Sequence, residues 1–357
     1  MYAARRAAVA LGMTLSLASG FAPLAARADD APPPQPALAA PGALPDLDAD
    51  NYFEGAEGGT FGKKVAKILP NSKRVAVGGF NVVFITKSSV SASVRATYLP
   101  GGVERTAAHS SLTIALDGVD NATFQKITDQ AYANFLKQLA AAGREVVPLE
   151  QIKPMFEKLD VAKTSPDKPY TKEVGGRTGV AFSPTGMPLW WWTAADMFGD
   201  VGALGQHNMR TVPGFSKDLD AWVIAPMIVV DFAKMGSSGN HSGLMAKEAS
   251  VSTSLAVSVH NLTTSLVHAE DTKFGQMSKG NEAFMRMTRG LAVETPFAEI
   301  EEVAASKTDK FMSILSGAAR SHKEELAKTS NDRYAPVATQ ALNQATGALA
   351  KFFQQHS

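Results

Sequence analysis

The sequence predicts an α/β fold, with α+β as the alternative: a mixed sheet, flanking helices and a C-terminal helical segment. Three observations lead there. Between Lys73 and Leu159 the order is strand, long helix, short strand, helix, which is the alternation of an α/β chain. Asp220–Phe232 (DAWVIAPMIVVDF) is a near-continuous apolar run suited to a buried central strand. Ser89–Leu99 and Ala249–Val267 alternate with period two, as strands buried on one face do.

Taken in order, residues 1–28 have the three parts of a secretory signal peptide. Arg5-Arg6 precede an apolar stretch from Ala7 to Leu24, and small residues at Ala26 and Ala28 mark a cleavage site before Asp29-Asp30. The apolar stretch is short for a bilayer span, and the arginine pair leaves both the general and the twin-arginine export routes open. Cleavage after Ala28 removes Arg5, Arg6 and Arg27 and no acid, so the mature chain keeps 32 basic against 34 acidic residues, a formal charge of −2. The expected location is the periplasm or the exterior, with no transmembrane helix in the mature chain. Residues 29–50 are Pro/Ala-rich and read as a disordered linker in extended polyproline-like conformations.

A mixed α/β domain is expected over 51–295. Phe61–Leu69 reads as a short helix stopped by Pro70, and Lys73–Thr86 as a β-rich run in which Gly78-Gly79 marks a bulge or a close backbone approach. Ser111–Leu116 is a further strand. In Asn121–Ala142, Phe124, Ile127, Ala131, Phe135 and Leu139 recur at spacings of three and four, with Asp120 or Asn121 to cap the helix and Gly143 to stop it. A short strand at Arg144–Pro148 and a helix at Leu149–Leu159 follow. From 160 to 217 periodicity fades into an irregular, Trp-rich insertion. Pro226 tempers the central strand, because it cannot donate to a ladder. Residues 296–357 read as two amphipathic helices, Phe297–Leu315 and Tyr334–Phe353, the second with Val337, Ala341, Leu342, Ala345, Leu349 and Phe352 on one stripe.

Composition narrows the chemistry. The 357 residues include no cysteine, which excludes disulfides, a Cys-ligated metal, a thiol nucleophile and a lipid-modified N-terminal Cys. With 35 Lys+Arg against 34 Asp+Glu, nothing suggests nucleic-acid binding. Gly236-Ser237-Ser238-Gly239 has the wrong spacing for a nucleophile elbow. Ser165-Pro166-Asp167-Lys168 fits S-x-x-K by letter but lies between prolines. Gly199, Gly202 and Gly205 lack the flanking strand of a phosphate loop. His260, His268 and Glu270 share parity, yet eight extended residues put the two imidazoles roughly 26 Å apart. Asn261–Ser265 is expected to interrupt that strand. Surface histidines, no metal and no cofactor are the expectation.

Pro188-Leu189-Trp190-Trp191-Trp192 stands out, because three consecutive indoles cannot all face one core from a strand or a helix. With Met197 and Phe198 nearby, the segment is a candidate contact surface, with a lid packed onto the sheet or the wall of an apolar pocket as alternatives.

The segments KRVAVGGF, ITDQAYANFLKQLAAAGREVVPLEQI, DAWVIAPMIVVDF and EASVSTSLAVSVHN together resemble the periplasmic domain of the curli-secretion-channel family. They are also similar to the amino-terminal domain of the translocation protein TolB. The resemblance spans roughly 73–268, without the family's lipidated Cys or second amphipathic hairpin. It implies an exported, non-enzymatic envelope protein acting in binding or assembly, partnered by another envelope protein or by itself. The alternative is a periplasmic carrier of a lipid or other apolar molecule.

Overall fold

A computed structural model of the chain describes residues 42–56, 65–94, 97–98, 104–105, 108–174, 176–190, 214–242, 246–268, 281–303 and 319–357. Strand β1 (Phe53–Ala56) and the single turn α1 (Val65–Ile68) precede β2 (Arg74–Val77). The β-rich run breaks at Gly78-Gly79 and resumes as β3 (Asn81–Val94). A small separate pair, β4 (Thr97–Tyr98) and β5 (Glu104–Arg105), leads to β6 (Ala108–Asp117). Helix α2 (Asn121–Ala141) is capped by the Asp120 carboxylate, which accepts from the Thr123 amide at 2.7 Å. That bond comes first among the causes holding the Asp120 carboxyl below its usual range. Gly143, at φ +81°, takes the left-handed position that ends the helix. Then come β7 (Glu145–Val146), α3 (Leu149–Lys158) and α4 (Val161–Thr164).

The stretch read as irregular carries a hairpin, β8 (Tyr170–Val174) and β9 (Arg177–Phe182), and β9 pairs with β3 inside the main sheet. A short helix at 214–219 precedes β10 (Trp222–Ile224) and β11 (Met227–Ser242). β12 (Ala246–His268) runs straight through Asn261–Ser265, so the expected interruption is absent. β13 (Asn281–Met287), β14 (Leu291–Val293), β15 (Glu299–Val303), β16 (Ala319–Lys328) and α5 (Asn331–Gln355) complete the chain.

One mixed sheet of fourteen strands dominates, in the order β15-β16-β6-β3-β11-β12-β10-β2-β7 with β1, β8, β9, β13 and β14 off that path. β2 with β10, β3 with β11, β6 with β16 and β2 with β7 are parallel; the other pairs are antiparallel. The breaks in β2/β3 and β10/β11 lie side by side. Gly78 N donates to Ile224 O and Asn81 N to Pro226 O, and Pro226 falls in the break, where its missing donor costs the ladder nothing. A Cβ on Gly78 would stand 2.7 Å from Val223 Cγ1, which is why only glycine fits there.

β9 flanks one side of β3 along Val82–Ser88. The other side is shared by β11 at Asn81–Phe84 and β6 at Lys87–Val94. β11 therefore leaves β3 near Asp231, where its own pairing with β12 shifts register on either side. Two long antiparallel hairpins result, β3/β6 and β11/β12.

α2 and α5 pack against each other and the sheet. Phe84 stacks on Phe124 at 4.6 Å, and Phe124 meets Tyr334 edge-on at 5.8 Å. The apolar stripe read for the last helix is buried throughout. Its seam with α2 holds a polar chain in which Thr346 Oγ1 donates to Gln138 Oε1 at 2.8 Å and Gln138 Nε2 to Asn343 O at 2.9 Å. Gly347 leaves room there for Pro45, whose Cδ would lie 2.8 Å from an added Cβ.

Two further expectations are corrected. Residues 42–50, read as linker, form a strap on α5: Ala49 is wholly buried, its amide donates to Gln355 Oε1, and Asp50 pairs with His356. Phe297–Leu315, read as a helix, contains β15. Glu and Ala favour helix locally, but each glutamate of this strand finds a cation: Glu299–Arg333, Glu301–Lys328 and Glu302–Lys323. Pairing with β16 overrides propensity. Residues 304–318 lie outside the described residues.

Glu325 sits poorly in this arrangement. It faces Glu302 across the antiparallel pair, and its Oε2 is buried with no hydrogen-bond partner among the described residues. Burial, then Glu302, pushes its carboxyl pKa up, while Lys323 opposes. A carboxyl raised on folding favours the native state at low pH and loses that contribution as pH rises through the raised value. Glu325→Gln is therefore expected to raise the thermal midpoint at pH 7 and leave it unchanged near pH 3, as calorimetry at the two pH values would show.

Candidate functional site

The breaks in β2/β3 and β10/β11 create a shallow floor of bare backbone, and Trp190 covers it. Its Nε1 donates to Gly78 O at 2.9 Å, and the Asn81 side-chain amide donates to Trp190 O. The ring stacks on Phe215 with centroids 5.6 Å apart and planes 14° from parallel, and Phe215 rests on Phe156 at 5.5 Å. A Cβ on Gly79 would approach the indole to 3.7 Å, so the close approach read from Gly78-Gly79 has a partner: the first tryptophan.

The residues leading to Trp190 are held with equal care. Lys168 Nζ donates to the carbonyls of Ser183, Pro184 and Met187, each at 3.1 Å. Burial lowers the pKa of this ammonium group, opposed by Asp129. Asp129 accepts from the Thr185 amide and hydroxyl at 2.7 and 2.8 Å, and Ser183 Oγ donates to Met187 O at 2.7 Å. Met187 and Leu189 are buried.

Of the five residues proposed from sequence as a contact surface, the structure places Trp190 and shows it to be core, 5% exposed. Its ring is sealed by Phe215 below and bonded to backbone, so it offers no free face. Trp191, Trp192, Met197 and Phe198 lie outside the described residues. Sequence reasoning missed the groups that fix the start of this segment: Asn81, Lys168, Asp129 and Phe215. The one local signal was the paired glycine, which announces a close neighbour without naming it. Trp190→Phe removes the bond to Gly78 O and leaves a void beside Phe215. It is expected to cost about 2 kcal/mol in urea unfolding, with secondary structure unchanged.

A second polar cluster marks the point where β11 leaves β3. Asp231 is buried; Arg177 Nη2 lies 2.5 and 2.6 Å from its two oxygens, and His260 Nε2 lies 2.9 Å from Oδ2. His260, read as a surface residue, is exposed but tied to this buried acid. Arg177 from β9 and His260 from β12 thus hold three diverging strands to one carboxylate. His268 lies against Trp222, ring centroids 5.1 Å apart, and Glu270 is outside the described residues. Among the described residues no group of three or more His, Asp or Glu is placed to hold a metal ion.

The long hairpins carry the remaining distinctive surface. Ser89, Ser91 and Ser93 on β3, and Ser250, Ser252 and Ser254 on β12, are all exposed, while Ala92, Leu112 and Ile114 turn inward and Val90, Val251 and Leu255 are half-buried. β12 approaches β6 and β3 closely without pairing with either, so the hairpins curl toward each other. Among the described residues no helix is long and apolar enough to cross a membrane. No family model, curated protein or solved structure matches the chain.

Proposed function

We propose that the protein is exported to the periplasm or cell envelope and acts there by binding or assembly, in the manner of curli-secretion-type envelope proteins. The observation that carries this reading is the pair of long hairpins, each with one hydroxyl-bearing face and one mainly apolar face. β12 alone has 23 residues, against about five or six for an ordinary strand. The exposed alternation lies at the outer end of β12, where Ser250, Ser252 and Ser254 face solvent, while its inner half from Val257 to Val267 enters the core. The outer end presents regularly spaced hydroxyls suited to contact with another protein or a second copy. Export rests on the arginine pair, apolar stretch and Ala26/Ala28 cleavage pattern ahead of Asp29.

The test is size-exclusion chromatography with light scattering on the chain from Asp29 onward, as wild type and as Ser250→Glu/Ser252→Glu/Ser254→Glu. These serines are exposed, so the charges leave the fold intact, which circular dichroism checks. A defined oligomer for wild type that dissociates in the triple variant supports assembly through this face. A wild-type monomer at every concentration, with no envelope protein retained by crosslinking in cells, overturns the reading.

A further inference from the structure

The hydroxyl face of β6 and β16 brings together groups far apart in sequence. Ser111 and His322 are direct partners in the parallel β6/β16 ladder, and Ser111 Oγ lies 2.8 Å from His322 Nδ1. The other nitrogen of the ring, Nε2, lies 3.3 Å from Glu324 Oε1, two residues along β16 and so on the same face. In the neutral ring one proton arrangement satisfies both contacts: Nε2–H donates to the carboxylate, and Nδ1 accepts from the serine hydroxyl. This is the order nucleophile, base, orienting acid.

The surroundings suit access from solvent. Ser111 is half-buried, and His322 and Glu324 are exposed. Ser91 stands opposite Ser111 on β3, and one row along Ser89 and Thr113 hydroxyls bond to each other at 2.9 Å. The hydroxyls of Ser89, Ser91 and Thr113 therefore share the face of the nucleophile. The face is open to solvent, so an ester with a small, unhindered acyl group can reach Ser111.

We propose that Ser111, His322 and Glu324 form an acyl-transfer site for small, short-chain esters. Ser111 Oγ bonds to the acyl carbon as its proton passes to His322 Nδ1. The bond to the alcohol oxygen then breaks, and the departing alcohol takes that proton. Water adds to the acyl-serine, giving a proton to His322, which returns it to Ser111 as the carboxylic acid leaves. Ester and water become acid and alcohol, with no other reactant. Ser111 and His322 are the catalytic residues; Glu324 is a positioning residue.

The test uses the chain from Asp29 onward with p-nitrophenyl acetate and a fluorophosphonate probe. Mass spectrometry is expected to place the phosphonate on Ser111. Ser111→Ala should abolish labelling, and His322→Gln should lower hydrolysis about 100-fold. Glu324→Gln should lower kcat with KM unchanged, and Glu324→Asp should restore part of it. Label on Ser89, Ser91 or Ser93 instead, or wild-type hydrolysis by Ser111→Ala, overturns the proposal. A further measurement is independent of folding in the alanine variant. The chain contains no cysteine, so Ser111→Cys and Ser91→Cys each introduce a single thiol. Faster alkylation by iodoacetamide at position 111 supports activation by His322, and equal rates overturn it.

Discussion

Gly118→Ala is expected to destabilise the protein by more than about 4 kcal/mol, enough to abolish cooperative folding or to move the urea midpoint far toward zero. Two independent costs combine. Gly118 sits at φ +94°, where an L side chain costs about 1–2 kcal/mol. A Cβ there would also lie 2.3 Å from Thr329 O, a backbone atom that cannot swing aside. Thr329 is fixed from two directions: its amide donates to Asp117 O at 3.0 Å and its hydroxyl to Phe297 O. The β6–α2 turn and the β16–α5 turn are also tied by Asp120 N to Asn331 Oδ1 at 3.1 Å and Asn331 Nδ2 to Asp120 Oδ2 at 2.9 Å. Gly143→Ala is the control, with φ +81° but nothing within 4 Å of the added carbon. It should cost about 1 kcal/mol, from backbone strain alone. Similar midpoints for the two variants would show that the turns can separate.

Arg144→Leu ranks second, at about 4 kcal/mol and a fall in Tm of about 10 °C by calorimetry. The Arg144 side chain is buried, and burial lowers its pKa. Its two terminal nitrogens serve four oxygens: Leu69 O at 3.0 Å, Ser72 O at 2.9 Å, Phe353 O at 2.6 Å and Ser357 Oγ at 2.5 Å. The guanidinium also lies over the Phe353 ring at 5.5 Å. Leucine fills the space but removes all four bonds by which one side chain ties the end of α5 to Ser72 and the 3₁₀ turn Leu69–Asn71. Arg144→Lys should recover less than half of the loss, because one ammonium group cannot span two separated segments as a planar fork does. Full recovery by lysine would show that charge, rather than geometry, holds them.

The legible parts of the fold are those whose signals are local. The Asp120 cap, the stripe from Phe124 to Leu139 and Gly143 define α2 without help from the rest of the chain. Gly78-Gly79 and Pro226 mark the two breaks because each alters backbone freedom or donor count where it stands. What was missed depends on distant partners. The EIEEV segment becomes a strand because β16 stands beside it to pair with, and the Pro/Ala-rich strap is ordered because Gly347 leaves a notch for Pro45. Trp190 was visible as unusual, but its burial is decided by Phe215 and the Gly78 carbonyl. Ser111 and His322 are 211 residues apart, and only the parallel pairing of β6 with β16 brings them into contact.

The twin breaks in β2/β3 and β10/β11 have a mechanical consequence. Two neighbouring strand paths crease at one line, while β12 runs across it unbroken, pairing with β10 on one side and β11 on the other, and the Trp190 indole is wedged over the crease. Traction on the hairpins in the strand direction reaches the body along β3 and β11 together. The bonds that tie β3 to β9 are then strained sideways and simultaneously, rather than unzipped one after another. Bending about the crease meets both the indole and unbroken β12, which together stiffen the line.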